Sequence, residues 1–126
     1  PEPTALVDAY AALKVALRHR ADARIGLVVN GTKGAEEARR IHERLETASR
    51  KFLGRSIELE GHVVLDDAVV QSSRRQQPVV LTSPMAPSSH CFDQLASRIA
   101  ARVEGGLRGA IEEPCAGRPR VREVMH

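Results

Sequence analysis

The sequence predicts an α/β fold built on parallel strands, and three observations carry that prediction. Segments with helical apolar spacing alternate with short β-branched apolar runs, the pattern of strand–helix–strand units. Apolar residues make up 42% of the chain but aromatics only 2%, so the core must be built from Val, Leu, Ile and Ala, as in helices and strands buried on both faces. Each β-like run ends in a turn or cap signal, Asn30-Gly31 after the first and Asp66-Asp67 after the second. At 126 residues the chain fits one small domain with a single core.

The elements follow in order. Thr4 precedes Leu6, Tyr10, Leu13 and Leu17, spaced by four, three and four along one helix face, which predicts a helix over 5–19. Residues 24–29, Arg-Ile-Gly-Leu-Val-Val, predict a first strand ending at Asn30-Gly31. From Gly34, the positions Ala38, Ile41, Leu45, Ala48 and Phe52 define the apolar face of a second helix, with Glu36 and Arg40 paired on its wet side. A second strand over 57–65 leads into Asp66-Asp67, which cap a short helix reaching Gln76. Pro78-Val79-Val80-Leu81 predicts a short extended segment, closed by a proline-containing loop. Ser88 or Ser89 then caps a last helix striped by Phe92, Leu95, Ala96, Ile99 and Val103, and Gly105-Gly106 stops it. Residues 105–126 read as a flexible basic tail holding Arg108, Arg118, Arg120 and Arg122.

A parallel sheet of two strands cannot cover its own faces and edges, so the pattern points to further strands supplied by an upstream half or by a partner. The first residue is Pro1, inside a Pro-Glu-Pro-Thr turn with no element before it, which suggests a chain cut from a longer product.

Composition narrows the function classes. The net charge of +3 comes from dispersed arginines without interleaved aromatics, so nucleic-acid binding rests on the isoelectric point alone. Cys91 and Cys115 form no CxxC or Cys/His cluster, consistent with a reduced cytoplasmic protein and with no metal site. No apolar run approaches the roughly 20 residues that span a bilayer.

In open parallel sheets ligands bind beyond the carboxyl ends of the strands, which singles out the loops 30–34 and 65–67. Asn30-Gly31-Thr32-Lys33-Gly34 is not a phosphate loop, because its lysine precedes the second glycine. The Asn30 amide can match an adenine edge or can simply close the turn before Gly31. Asp66 and Asp67 can be an acid/base pair or the cap and dipole partner of a helix start. His19, His42, His62, His90 and His126 form no catalytic or metal-ligand spacing and read as surface or packing histidines.

The stretch Pro1-Glu2-Pro3-Thr4, Asp8-Ala9-Tyr10 and Lys14 resembles the PEPT-x-x-x-DAY-x-x-x-K segment of MinD/ParA-type P-loop ATPases of the flagellar-number-regulator (FlhG/FleN) branch. The likeness continues through Leu27-Val28-Val29-Asn30, Phe52-Leu53, Gly61-x-Val63-x-x-Asp66 and Gln76-x-Pro78-Val79, and covers residues 1–103. It implies that residues 1–104 are the C-terminal half of a Rossmann-like, three-layer P-loop NTPase domain whose N-terminal half is absent. It further implies ATP as ligand, contacted by Asn30, Val64, Leu65 and Asp66, with magnesium held only in the intact parent. Val64 stands where the family usually has proline, and Gly31 replaces a larger residue.

The same resemblance implies an ATP hydrolase acting as a dimer in the cytoplasm, with flagellar assembly proteins as partners. This chain, lacking the Walker A loop, is expected to be inactive alone and to need the N-terminal half or a homodimer partner. The proline- and glycine-containing tail is unlike a membrane-binding amphipathic helix. The competing expectation is a free-standing, non-catalytic α/β interaction module.

Overall fold

A computed structural model describes residues 3–112; the rest of the expected tail, with Cys115, Arg118, Arg120 and Arg122, lies outside the described residues. The first helix, α1 (Pro3–His19), starts on Pro3, whose fixed backbone suits a first helical turn, and ends on Arg18 and His19 beside the negative end of its dipole. Leu13 on its inner face is buried, flanked by Leu6, Ala9, Tyr10 and Leu17.

Two parallel strands follow, β1 (Gly26–Thr32) and β2 (Glu58–Val64), joined by α2 (Ala35–Leu53). β1 runs past the expected stop at Asn30-Gly31: Gly31 takes φ 70°, a left-handed bulge that glycine adopts cheaply, and Thr32 then resumes pairing with Val64. A second irregularity opposite Leu27 and Val28 leaves Glu60 outside the ladder.

Gly34 precedes α2 without a side-chain cap, and the Glu37 carboxylate reaches back instead to accept the Lys33 N–H at 2.7 Å. Gly54 closes the helix in the left-handed conformation, φ 63°, its N–H bonded to the Ser49 carbonyl. Glu36 and Arg40 pair at 3.5 Å, as spaced. The expected apolar face holds at Ala38 and Leu45, which are buried, but Phe52 is 66% exposed with the Lys51 ammonium 5.2 Å from its ring centre. At the last turn the core side is already filled by Leu53.

After β2, Asp66 caps α3 (Asp67–Arg74) by accepting the Ala68 N–H at 2.9 Å. Residues expected to be extended form a single helical turn, α4 (Val79–Thr82). The β-branched Val79-Val80 gave the strand signal, yet the Leu81 and Thr82 N–H groups close onto the Pro78 carbonyl at 3.1 and 3.2 Å. The last helix, α5 (Pro87–Glu112), begins at Pro87, so Ser88 and Ser89 lie inside its first turn and are not its caps. Nor do Gly105 and Gly106 end it; glycine stops a helix where it turns left-handed, and neither does so.

α1 and α2 cover one face of the sheet, where Leu13, Leu45 and Ile57 form a core with Leu27, Ile25 and Leu53 packed on it. Burying each large aliphatic there contributes about 1.5–3 kcal/mol. α5 lies on the opposite face, since Gly61, paired with Val28, faces Leu95 of α5. It packs on β2 and leaves Val28 of β1 39% exposed. Among the described residues the outer edge of β1 has no strand partner.

Candidate functional site

The carboxyl ends of β1 and β2 bring the sequence-predicted residues together. Asn30 pairs in register with Val63, Thr32 with Val64, and the Leu65 N–H donates to the Thr32 carbonyl at 2.8 Å. Asn30 and the segment 64–66 thus occupy adjacent strand ends, the usual ligand edge of a parallel sheet. Asn30 is exposed, and no side-chain hydrogen bond ties its amide among the described residues. Leu65 is 76% exposed and Val64 half-buried.

Asp66 is differently placed. Its Oδ1 accepts the Ala68 N–H, and its Oδ2 accepts the Ser88 N–H at 3.1 Å and the Ser88 hydroxyl at 2.7 Å. These bonds, the Ala68 N–H foremost, hold the carboxyl below the usual carboxylate range. An ionised carboxylate offers about four acceptor sites, so three bonds leave one open. Asp67 is exposed in the first turn of α3, as a dipole partner would be.

Two features escaped the sequence. A mostly apolar groove of about 270 Å³ runs along the open edge of β1, lined by Leu6, Ala9, Leu27 and Ile41, with Asn30 and Arg44 as polar members. Arg44 belongs to the wet side of α2 by spacing, and it lines a cleft beside the edge of β1 that has no strand partner among the described residues. Asp66 does not line this groove, so Asn30 alone belongs both to it and to the strand-end cluster. The other feature is Thr32, fully buried with its hydroxyl oxygen unpartnered among the described residues. A threonine in an N-G-T-K-G loop gave no signal for burial.

Two of the histidines make structural contacts: His42 Nε2 lies 2.6 Å from the Ile57 carbonyl and 3.5 Å from Glu46, and His90 bonds Gln94; His126 lies outside the described residues. Glu46 accepts the Ile57 N–H at 2.8 Å and pairs with Arg50 at 2.6 Å, which holds its pKa at about 2. Cys91 is a half-buried free thiol. Among the described residues no three His, Cys, Asp or Glu side chains gather as a metal site, and no helix is long and apolar enough to cross a membrane.

Fold and strand-end geometry define a parallel α/β unit compatible with part of a Rossmann-like domain, with the exposed Asn30 amide and the Asp66-capped loop at the carboxyl edge of its sheet. The chain is 26% identical over 98 residues to the antiactivator FleN of Pseudomonas aeruginosa, a match covering 78% of this chain and 35% of that protein. The chain therefore spans about a third of the length of the relative it matches. No family model matches it.

Proposed function

We propose that this chain is the base-recognition side of a MinD/ParA-like nucleotide-binding protein of the flagellar-number-regulator branch, with ATP as ligand. The observation that carries the proposal is Asn30, an exposed and unengaged amide at the carboxyl end of a parallel strand, in the part of the chain similar to FleN. Its carboxamide can give one hydrogen bond to and take one from an adenine edge. Val64 and Leu65 form the adjoining wall, and Asp66 fixes that wall through Ala68 and Ser88 while keeping one acceptor site for the exocyclic amine.

Phosphate and magnesium chemistry would come from outside this chain, which contains no Walker A sequence. The chain alone therefore binds the base side and does not hydrolyse ATP. The test is Asn30→Ala in the longer protein of which the chain would be the C-terminal portion. Affinity for ATP is expected to fall by about 1–3 kcal/mol and discrimination against GTP to fall with it, with the melting curve unchanged. Equal affinities of variant and parent for both nucleotides would return Asn30 to the role of a turn residue.

The open outer edge of β1 favours a second reading, an interaction module that adds a partner strand there. That module would bind neither ATP nor GTP, so the same titration separates the two.

A further inference from the structure

The two faces of the sheet are covered by different chemistry. α5 contributes no fully buried apolar side chain among residues 88–106: Ser88 and Ser89 are buried, Cys91 and Leu95 are half-buried, and Phe92, Ile99 and Val103 are 36%, 48% and 61% exposed. Its attachments are polar and gather at two points. At the carboxyl end of β2, the Ser88 N–H and hydroxyl donate to Asp66, and the Ser89 hydroxyl donates to the Ser83 carbonyl at 2.7 Å.

At the amino end of β2, Arg98 donates to the Glu60 carbonyl at 2.6 Å, while Arg102 pairs with the Glu58 carboxylate at 2.6 Å and with the Glu60 carboxylate. Arg24 joins Glu58 at 3.3 Å. The helix thus runs back along the strand: the span from Ser88 to Arg98 is about 15 Å, comparable with about 20 Å from Asp66 to Glu60. Between the two fastenings Leu95 lies over Gly61.

The lower fastening depends on Gly26. A Cβ there would overlap the Glu60 side chain, so the carboxylate that Arg102 grips occupies space that only a glycine in β1 leaves free. Arg102 is 44% exposed and Glu58 54%, so salt screens this pair, whereas the other face is held by the apolar Leu13–Leu45–Ile57 core and its charged contact, Glu46 with the Ile57 N–H and Arg50, has a carboxylate only 16% exposed and is screened less.

We propose that α5 is a releasable strap, fastened to the sheet by polar contacts at its two ends, that opens as a unit and uncovers Gly61 and Val63 beside the exposed Val28 while the α1–α2 side stays folded. Its upper fastening uses Asp66, but the proposal does not require a nucleotide.

Amide hydrogen exchange on the whole 126-residue chain decides it. Raising salt from about 0.05 M to about 1 M should lower the protection of residues 92–104 by about tenfold and leave residues 38–49 unchanged. Arg102→Gln should reproduce that loss at low salt and abolish most of the salt response. Gly26→Ala, which alters neither helix, should do the same by displacing Glu60. Protection of α5 that ignores both salt and Arg102→Gln would overturn the strap, as would equal loss in α5 and α2, the signature of global unfolding. Should Gly26→Ala fail to fold, the salt series and Arg102→Gln still decide.

Discussion

The α1–α2 side and the α5 side of the sheet are held chiefly by different means. On the first, Leu13, Leu45 and Ile57 are nearly fully buried, the Gly54 N–H closes the end of α2, and a charged clasp, Glu46 with the Ile57 N–H and Arg50, adds to this apolar packing. On the second, a 26-residue helix is fixed by serines and arginines to three carboxylates. Apolar interfaces are insensitive to salt and pH, whereas hydrogen-bonded ion pairs respond to both. The difference teaches that helix length says little about how firmly a helix is attached.

Truncation breaks the comparison most sharply. Leu45→Ala should cost about 2–5 kcal/mol, because the buried site is surrounded by other elements and cannot collapse fully. Leu95→Ala on α5 should cost about 1 kcal/mol, in proportion to its half-burial. Denaturant midpoints of the two variants check this, and equal losses would mean that α5 has an apolar interface after all.

Acid probes the charged clasp of the α1–α2 side. Glu46 falls from the ordinary 4.5 to about 2 in the folded chain, chiefly through the Ile57 N–H and then Arg50. A depressed carboxyl stabilises the fold above its unfolded pKa, and that stability is lost as pH falls from about 4.5 towards about 2. Asp66 is lowered in the same direction and adds to the slope. Glu46→Gln should therefore flatten stability against pH in this window, read from melts across it, and an unchanged slope would detach Glu46 from the acid response.

The smallest effect concerns Thr32, whose buried hydroxyl has no partner among the described residues. Thr32→Val removes that orphan at nearly constant volume and should stabilise by about 1 kcal/mol in chemical denaturation. Destabilisation would show that the hydroxyl is satisfied in solution, by water or by a group outside the described residues.

Both strands, the first two helices and the Asp66 cap were legible because each rests on a local pattern: periodicity at Leu6–Leu17 and Ala38–Leu45, β-branched runs, and an aspartate before a helix. What was not legible depended on contacts distant in sequence. Val79-Val80 carry strand propensity, but no sheet edge receives them and one turn closes on Pro78 instead. Gly105-Gly106 suggest a stop, yet a glycine stop forms where the glycine turns left-handed, which composition does not reveal. Ser88 reads as a cap until its partner across the fold, Asp66, is known. For the site, strand-end position singled out Asn30 and Asp66 as candidates, while the groove with Arg44 lies along an edge of β1 that has no strand partner among the described residues, a contact pattern that local sequence does not carry.

The central claim is that the adenine of a bound nucleotide lies against Asn30 and the 64–66 loop. Photocrosslinking with 8-azido-ATP, followed by peptide mapping of the longer protein of which this chain would be the C-terminal portion, tests it most directly. The account predicts label in the tryptic peptides spanning 25–33 and 56–74, competed by ATP and poorly by GTP. Label confined to other peptides, under conditions where ATP competes, would contradict it.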